Sequence, residues 1–119
     1  MKGRGYKDLV VWQKAMSLVL VVYRATENFP KNEQYGLTLQ IRRCAVSLPS
    51  NIAEGSKRGT AKDFKYFLTI AFGSGAELET QIEIAEKLSY IKKEDYLRTV
   101  ALLDECMRML NAMINRPKD

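Results

Sequence analysis

Apolar residues along the chain fall into four long stretches at helical spacing, separated by proline, glycine or short polar breaks. The first runs from Asp8, a helix-capping residue type, to about Glu27 without a proline or glycine. Its β-branched content would also suit a strand, but its length and the spacing Leu9, Trp12, Met16, Val19, Tyr23 select a helix. Val10, Val11, Leu18, Leu20, Val21 and Val22 then spread apolar surface almost all the way round it. A helix apolar on all sides is buried on more than one face. A chain this short cannot surround it, so the pattern predicts cover from another subunit.

Phe29-Pro30 ends the first helix, because the residue before proline avoids the helical region. Asn32 is suited to cap a second helix over about 32–54, with Glu33 complementing its positive end and Gly55 as its stop. Gly36 weakens this helix slightly, and Pro49 removes one backbone bond to residue 45 and should kink it. The helix carries two stripes. Leu37, Ile41, Cys44, Leu48 and Ile52 form an apolar line, and Gln40, Arg43, Ser47, Asn51 and Glu54 form a polar line beside it. Two stripes of different character suggest two different partners and point to assembly more than to catalysis.

Thr60 and Asp63 resemble a capping box at the start of a third helix over about 60–89, with the core line Phe64, Phe67, Ala71, Gly75, Leu78, Ile82, Ala85 and Leu88. Gly73-Ser74-Gly75 in its middle permits close approach of a neighbour; no strand precedes it and no lysine follows, so it does not read as a phosphate loop. The fourth helix covers about 93–115, with Tyr96, Val100, Leu103, Met107, Leu110 and Ile114 inward and Pro117 beyond its end. Residues 1–7 read as a flexible basic arm. Four long helices, short loops and no strand signal predict one all-α domain, an antiparallel up-and-down four-helix bundle.

Composition narrows the chemistry. The chain has 119 residues, and a domain of that size buries roughly two thirds of its unfolded surface without staples. Cys44 and Cys106 are far apart, lack metal spacing and fall on apolar helix positions, so they read as buried reduced thiols in a cytoplasmic protein. The longest apolar run, Leu18 to Tyr23, is far short of the ~20 residues that span a bilayer. No histidine is present. That removes Ser-His and Cys-His nucleophilic sites, mixed zinc sites, Glu-x-x-His di-iron bundles, and helical ribonucleases that need an arginine and a histidine. Glu77, Glu79, Glu83 and Glu86 beside Lys87 read as a solvated face, so no catalytic residue, cofactor or metal is expected.

The net charge of +5 is unevenly spread: residues 1–62 hold 11 cations against 4 carboxylates, and residues 63–119 hold 8 against 10. A basic half favours polyanions through phosphate attraction and counterion release. Arg42, Lys57, Arg58 and Lys62 are the candidates for tracking an RNA or DNA backbone, with nothing nearby that reads bases. Gln40, Arg43, Ser47, Asn51 and Glu54 are the candidates for a hydrogen-bonded seam that fixes register between subunits, with Arg43 open to pairing with Glu54.

The segment FPKNEQYGLTLQIRRCAVSLPSNIAEG, the preceding DLVVWQKAMSL, and the pattern T-x-x-DF-x-x-FL-x-IA-x-GS-x-x-ELET over residues 60–80 resemble one bacterial four-helix-bundle family. It is the family encoded in intervening sequences of 23S ribosomal RNA genes, to which the accessory variability determinant of diversity-generating retroelements is related. The resemblance implies a homopentamer of antiparallel bundles without enzymatic activity. It also implies association with nucleic acid or with a reverse transcriptase as partner, and it carries no catalytic residues over. Gly75 stands where that pattern would place a larger apolar residue.

Overall fold

The computed structural model describes residues 5–116. Four helices account for most of them: α1 (Val10–Ala25), α2 (Leu37–Lys57), α3 (Ala61–Lys87) and α4 (Lys93–Ile114). α2 packs on α1 and α3, α4 packs on α3 and α1, and the diagonal pairs stay apart. The result is the antiparallel up-and-down bundle expected from the sequence, four-sided and 48 × 22 × 21 Å. Pro117 and residues 1–4 of the basic arm lie outside the described residues. Residues Gly5–Asp8 are a 3-10 turn packed on α1 and α2, so this part of the chain is not a loose arm.

The core is a stack of fully buried side chains, among them Leu18 and Val22 from α1, Ile41, Leu48 and Ile52 from α2, Leu78 and Ile82 from α3, and Leu103 and Leu110 from α4. The apolar line of α2 faces it as expected, with Leu37 and Cys44 at its margin. On α1 the buried line is Val11, Ala15, Leu18, Val22 and Ala25, rotated from the expected one, and Met16 and Tyr23 are exposed. The reason is visible in the sequence: with apolar residues all round, periodicity does not fix which face turns inward, and the small Ala15 and Ala25 allow close packing. Leu88 and Val100 are likewise outward, at 50% and 37% exposure. The inward positions on α4 include Thr99, a polar residue whose hydroxyl donates to the Asp95 carbonyl one turn back (2.7 Å) and so needs no other partner.

The helix ends depart from the sequence expectation in instructive ways. Residues Lys31–Glu33 form a 3-10 turn, and α2 starts only at Leu37. Asn32 is not its cap. One oxygen of Glu33 accepts from the Leu37 N–H (3.1 Å), and the other accepts from the Tyr90 hydroxyl (3.0 Å), tying the α3–α4 connection to the start of α2. Gly36 makes this possible, since a Cβ there would lie 2.8 Å from the same Glu33 oxygen. The helix continues through the buried Pro49 and through Gly55 to Lys57. Gly55 is therefore a packing glycine: a Cβ on it would sit 2.7 Å from Cβ of Phe67 and 3.3 Å from the Phe64 carbonyl oxygen. The turn that follows is made by Gly59, at φ +88°.

Thr60 caps α3 as expected, its hydroxyl oxygen accepting from the Asp63 N–H (3.1 Å). α3 ends at Lys87 in a Schellman turn, with Tyr90 N–H bonded to the Ala85 carbonyl, Ser89 N–H bonded to the Glu86 carbonyl, and Ser89 itself at φ +61°. The missing bulk at Gly75 is supplied by α4, because Met107 occupies the space where a side chain would be.

Two glycines on neighbouring helices should respond oppositely to alanine. Gly73 is helical and exposed, and nothing lies within 4 Å of the place its Cβ would take, so Gly73→Ala should stabilise by about 0.5–1 kcal/mol through helix propensity. Gly55→Ala must push α2 from α3 against backbone and a ring-bearing Cβ, and should destabilise by about 1–3 kcal/mol. Thermal melting followed by circular dichroism measures both; equal effects would contradict this packing.

Candidate nucleic-acid interface

The end of the bundle where α2 turns into α3 holds three of the four predicted cations. Gly55 lets α2 lie close on Phe64 and Phe67 of α3, and Gly59 and Thr60 complete a tight reversal, so Lys57, Arg58 and Lys62 are fixed within one short segment. A shallow groove of about 450 Å³ lies between this reversal and the N-terminal 3-10 turn, lined by Tyr6, Leu9, Ser56, Lys57, Thr60 and Phe64 among others. Lys57 and Lys62 are exposed. Arg58 is held twice: its guanidinium donates to Glu54 at 2.7 Å and lies 4.8 Å from the centre of the Phe67 ring. The helix dipoles contribute little here, because the negative end of α2 and the positive end of α3 meet in the same reversal. Side-chain charge decides the local field.

Arg42 is not part of this group. It lies fifteen residues before Lys57 on α2, roughly 22 Å along the helix axis. Its Nε donates to the Thr26 hydroxyl (2.8 Å), its Nη2 donates to the Tyr23 carbonyl (3.3 Å), and its guanidinium stacks 4.5 Å from the Tyr23 ring centre. Arg42 thus closes the C-terminal end of α1, where a cation complements the helix dipole.

The predicted polar seam is split between environments. Ser47 shares a hydrogen bond with Ser74 of α3 (2.8 Å), and Asn51 Nδ2 donates to both the carbonyl and the hydroxyl of Ser47 (2.9 Å each). The Ser47–Ser74 bond joins α2 to α3 within one chain, and Asn51 holds Ser47 from within α2. Gln40 and Arg43 are exposed, and Glu54 pairs with Arg58, not with Arg43. On the acidic face of α3, Glu83 accepts a short hydrogen bond from the Tyr96 hydroxyl and so ties α3 to α4, while Glu77, Glu79 and Glu86 are exposed.

Neither thiol is activated. Burial, reinforced by Glu105, pushes Cys106 up to about 11 against the opposing effect of Lys14. Burial also raises Cys44, with Glu77 adding to it and a Gln81 hydrogen bond opposing. Nucleophilic cysteines need the reverse shift. Among the described residues no helix is long and apolar enough to cross a membrane.

The family model described as 23S rRNA-intervening sequence protein matches residues 7–112. The chain belongs to this family. The intervening-sequence fold seen here is also that of a crystal structure of a protein of unknown function from the S23 ribosomal protein family of Bacteroides thetaiotaomicron VPI-5482. The two align with a TM-score of 0.80 and 27% identity over 89% of this chain and 99% of that one. None of the curated proteins matches the chain. As a member of the intervening-sequence family, the protein has the bundle expected from its SLPSNIAEG segment, whose Leu48, Pro49, Ile52 and Gly55 are all buried.

The two kinds of arginine should separate experimentally. Arg42→Ala removes two hydrogen bonds and a stacking contact at the α1 terminus and should lower stability by about 1–2 kcal/mol, measurable by urea denaturation. Arg58→Ala removes an exposed pair and should cost under about 1 kcal/mol.

Proposed function

We propose that the protein is a cytoplasmic, non-enzymatic, self-assembling bundle that binds the phosphate backbone of RNA or DNA at the α2–α3 end with little sequence preference. The observation that carries the reading is the clustering of Lys57, Arg58 and Lys62 at one tight reversal beside an open groove. Lys7 and Lys65 belong to the same end, and Asp8, Glu54 and Asp63 offset only part of the charge. Lysines on mobile stems suit sequence-independent phosphate contact, whereas reading bases needs side chains aimed at their edges. Two free cysteines fit a reducing compartment.

A second observation supports assembly. Leu20 is 61% exposed on the face of α1 opposite its core line, with Met16 and Tyr23 also exposed near it. Left in water these side chains forgo roughly 25 cal/mol per Å² of burial, so a second copy covering them would be stabilised. The family resemblance suggests five copies. On an adaptor reading the same surface would receive a protein partner such as a reverse transcriptase, with no direct contact to nucleic acid.

Binding of a generic RNA, followed by fluorescence anisotropy, should weaken as salt rises. About three phosphate contacts on a single strand give a log–log slope near −2. Replacing Lys57 and Lys62 together with Ala should flatten the slope by about 1 or more. Undetectable binding at ~50 mM salt would favour the adaptor instead. Light scattering should give a multiple of the 13.6 kDa chain, five by the resemblance, and Leu20→Lys should reduce it. A monomer mass for the unaltered protein would end the assembly reading.

A further inference from the structure

Beside the basic reversal stands an aromatic ring that packs against one neighbour and is otherwise open. Tyr66, on α3, is 60% exposed. Its ring stands at 86° to that of Phe67, with centroids 5.2 Å apart. Phe67 is itself anchored, pressed on Gly55 and overlaid by the Arg58 guanidinium. Tyr66 is therefore steadied along one side by a fixed neighbour while most of its surface meets water. Lys62 lies one turn before it on the same face of α3 and Lys65 is adjacent, both exposed. Two cations and an open ring share about one turn of helix.

We infer that Tyr66 is a stacking platform for an unpaired base, and that the α2–α3 end prefers single-stranded nucleic acid to duplex. This rests on the phosphate-binding reading of the same surface. Lysines alone do not make the distinction, since both forms present phosphates. A ring does, because only an unpaired base has a free face to lay on it, and such stacking tolerates any base. Tyr35 provides an internal comparison: it is 84% exposed but precedes α2 at the opposite end of the bundle, away from Lys57, Arg58 and Lys62.

The test compares a labelled single strand of about 20 nucleotides, in RNA and in DNA versions, with the matched duplexes by anisotropy at ~50 mM salt. The unaltered protein should bind at least one single strand about tenfold more tightly than its duplex. Tyr66→Ala should remove most of that preference while leaving duplex affinity and the salt slope in place. Tyr66→Phe should retain it, and Tyr35→Ala should not change it. Because Tyr66 is largely in solvent, Tyr66→Ala should also melt within a few degrees of the parent. Equal binding of single strand and duplex by the unaltered protein, or a preference that survives Tyr66→Ala, would overturn the stacking role and leave phosphate binding standing. Binding of neither form would overturn both.

Discussion

Where α2 passes α3, the missing side chain at Gly55 sets how near the two helices come, and much of the molecule follows from that distance. The Cβ of Phe67 and the backbone of Phe64 occupy the space a side chain would need. Earlier along α2 the pair is locked by a hydroxyl–hydroxyl bond between Ser47 and Ser74, with Asn51 completing the set. Small and polar groups thus hold the α2–α3 pair at close range, while Met107 reaching over Gly75 fills the equivalent gap between α3 and α4. Bulky residues do the opposite work in the centre, where Leu18, Leu48, Leu78 and Leu110 keep the four helices apart. Close packing on one side and large side chains in the middle are what make the bundle four-sided and not collapsed.

The polar stripe of α2 takes its meaning from this. A line of Gln, Arg, Ser, Asn and Glu at helical spacing looks like an interface between subunits, yet its middle is satisfied within the chain and its lower end is an exposed ion pair. Exposed ion pairs contribute a few tenths of a kcal/mol and specify little. Support for assembly therefore comes from α1 and not from α2. Met16 and Leu20 are exposed on the outward face of α1, and apolar surface of that kind is what a second copy would cover.

How far the sequence discloses all this depends on which physical signal each residue carries. The apolar line of α2 is legible because one period fits it and polar residues flank it. The inward face of α1 is not, because its apolar residues surround the helix and only packing selects among rotations. Gly55 at the end of an amphipathic run reads as a stop, since conformational freedom is the commoner use of glycine, and only the position of Phe67 reveals close approach as its role. The cap at Thr60 is legible because it is local. Glu33 is legible in part: its place at the positive end of α2 is local, but its bond to Tyr90 spans 57 residues. In the site, charge alone groups Arg42 with Lys57, Arg58 and Lys62, but charge carries no information about distance along a helix. Tyr66 is hidden for the same kind of reason: spacing leaves it off the core line of Phe64 and Phe67, but does not say that its ring stands open beside Lys62 and Lys65.

The candidate surface and the packing of the bundle are one construction. Phe67 presses on Gly55, carries the Arg58 guanidinium on its ring and stands against Tyr66. The same side chain that fixes the α2–α3 distance therefore also fixes the position of a cation and of an exposed ring. Arg58 is further restrained by Glu54, which would lower the entropy lost on meeting a phosphate but also partly neutralises the guanidinium. Lys57 and Lys62, which make no such contact among the described residues, are left as the mobile charges. On the proposed reading, a steadied ring on α3, one ordered guanidinium and two flexible ammonium groups would meet a backbone whose path is not fixed in advance. The cations by themselves would accept either single strand or duplex, since both present phosphates, so any choice between them would fall to the open ring of Tyr66.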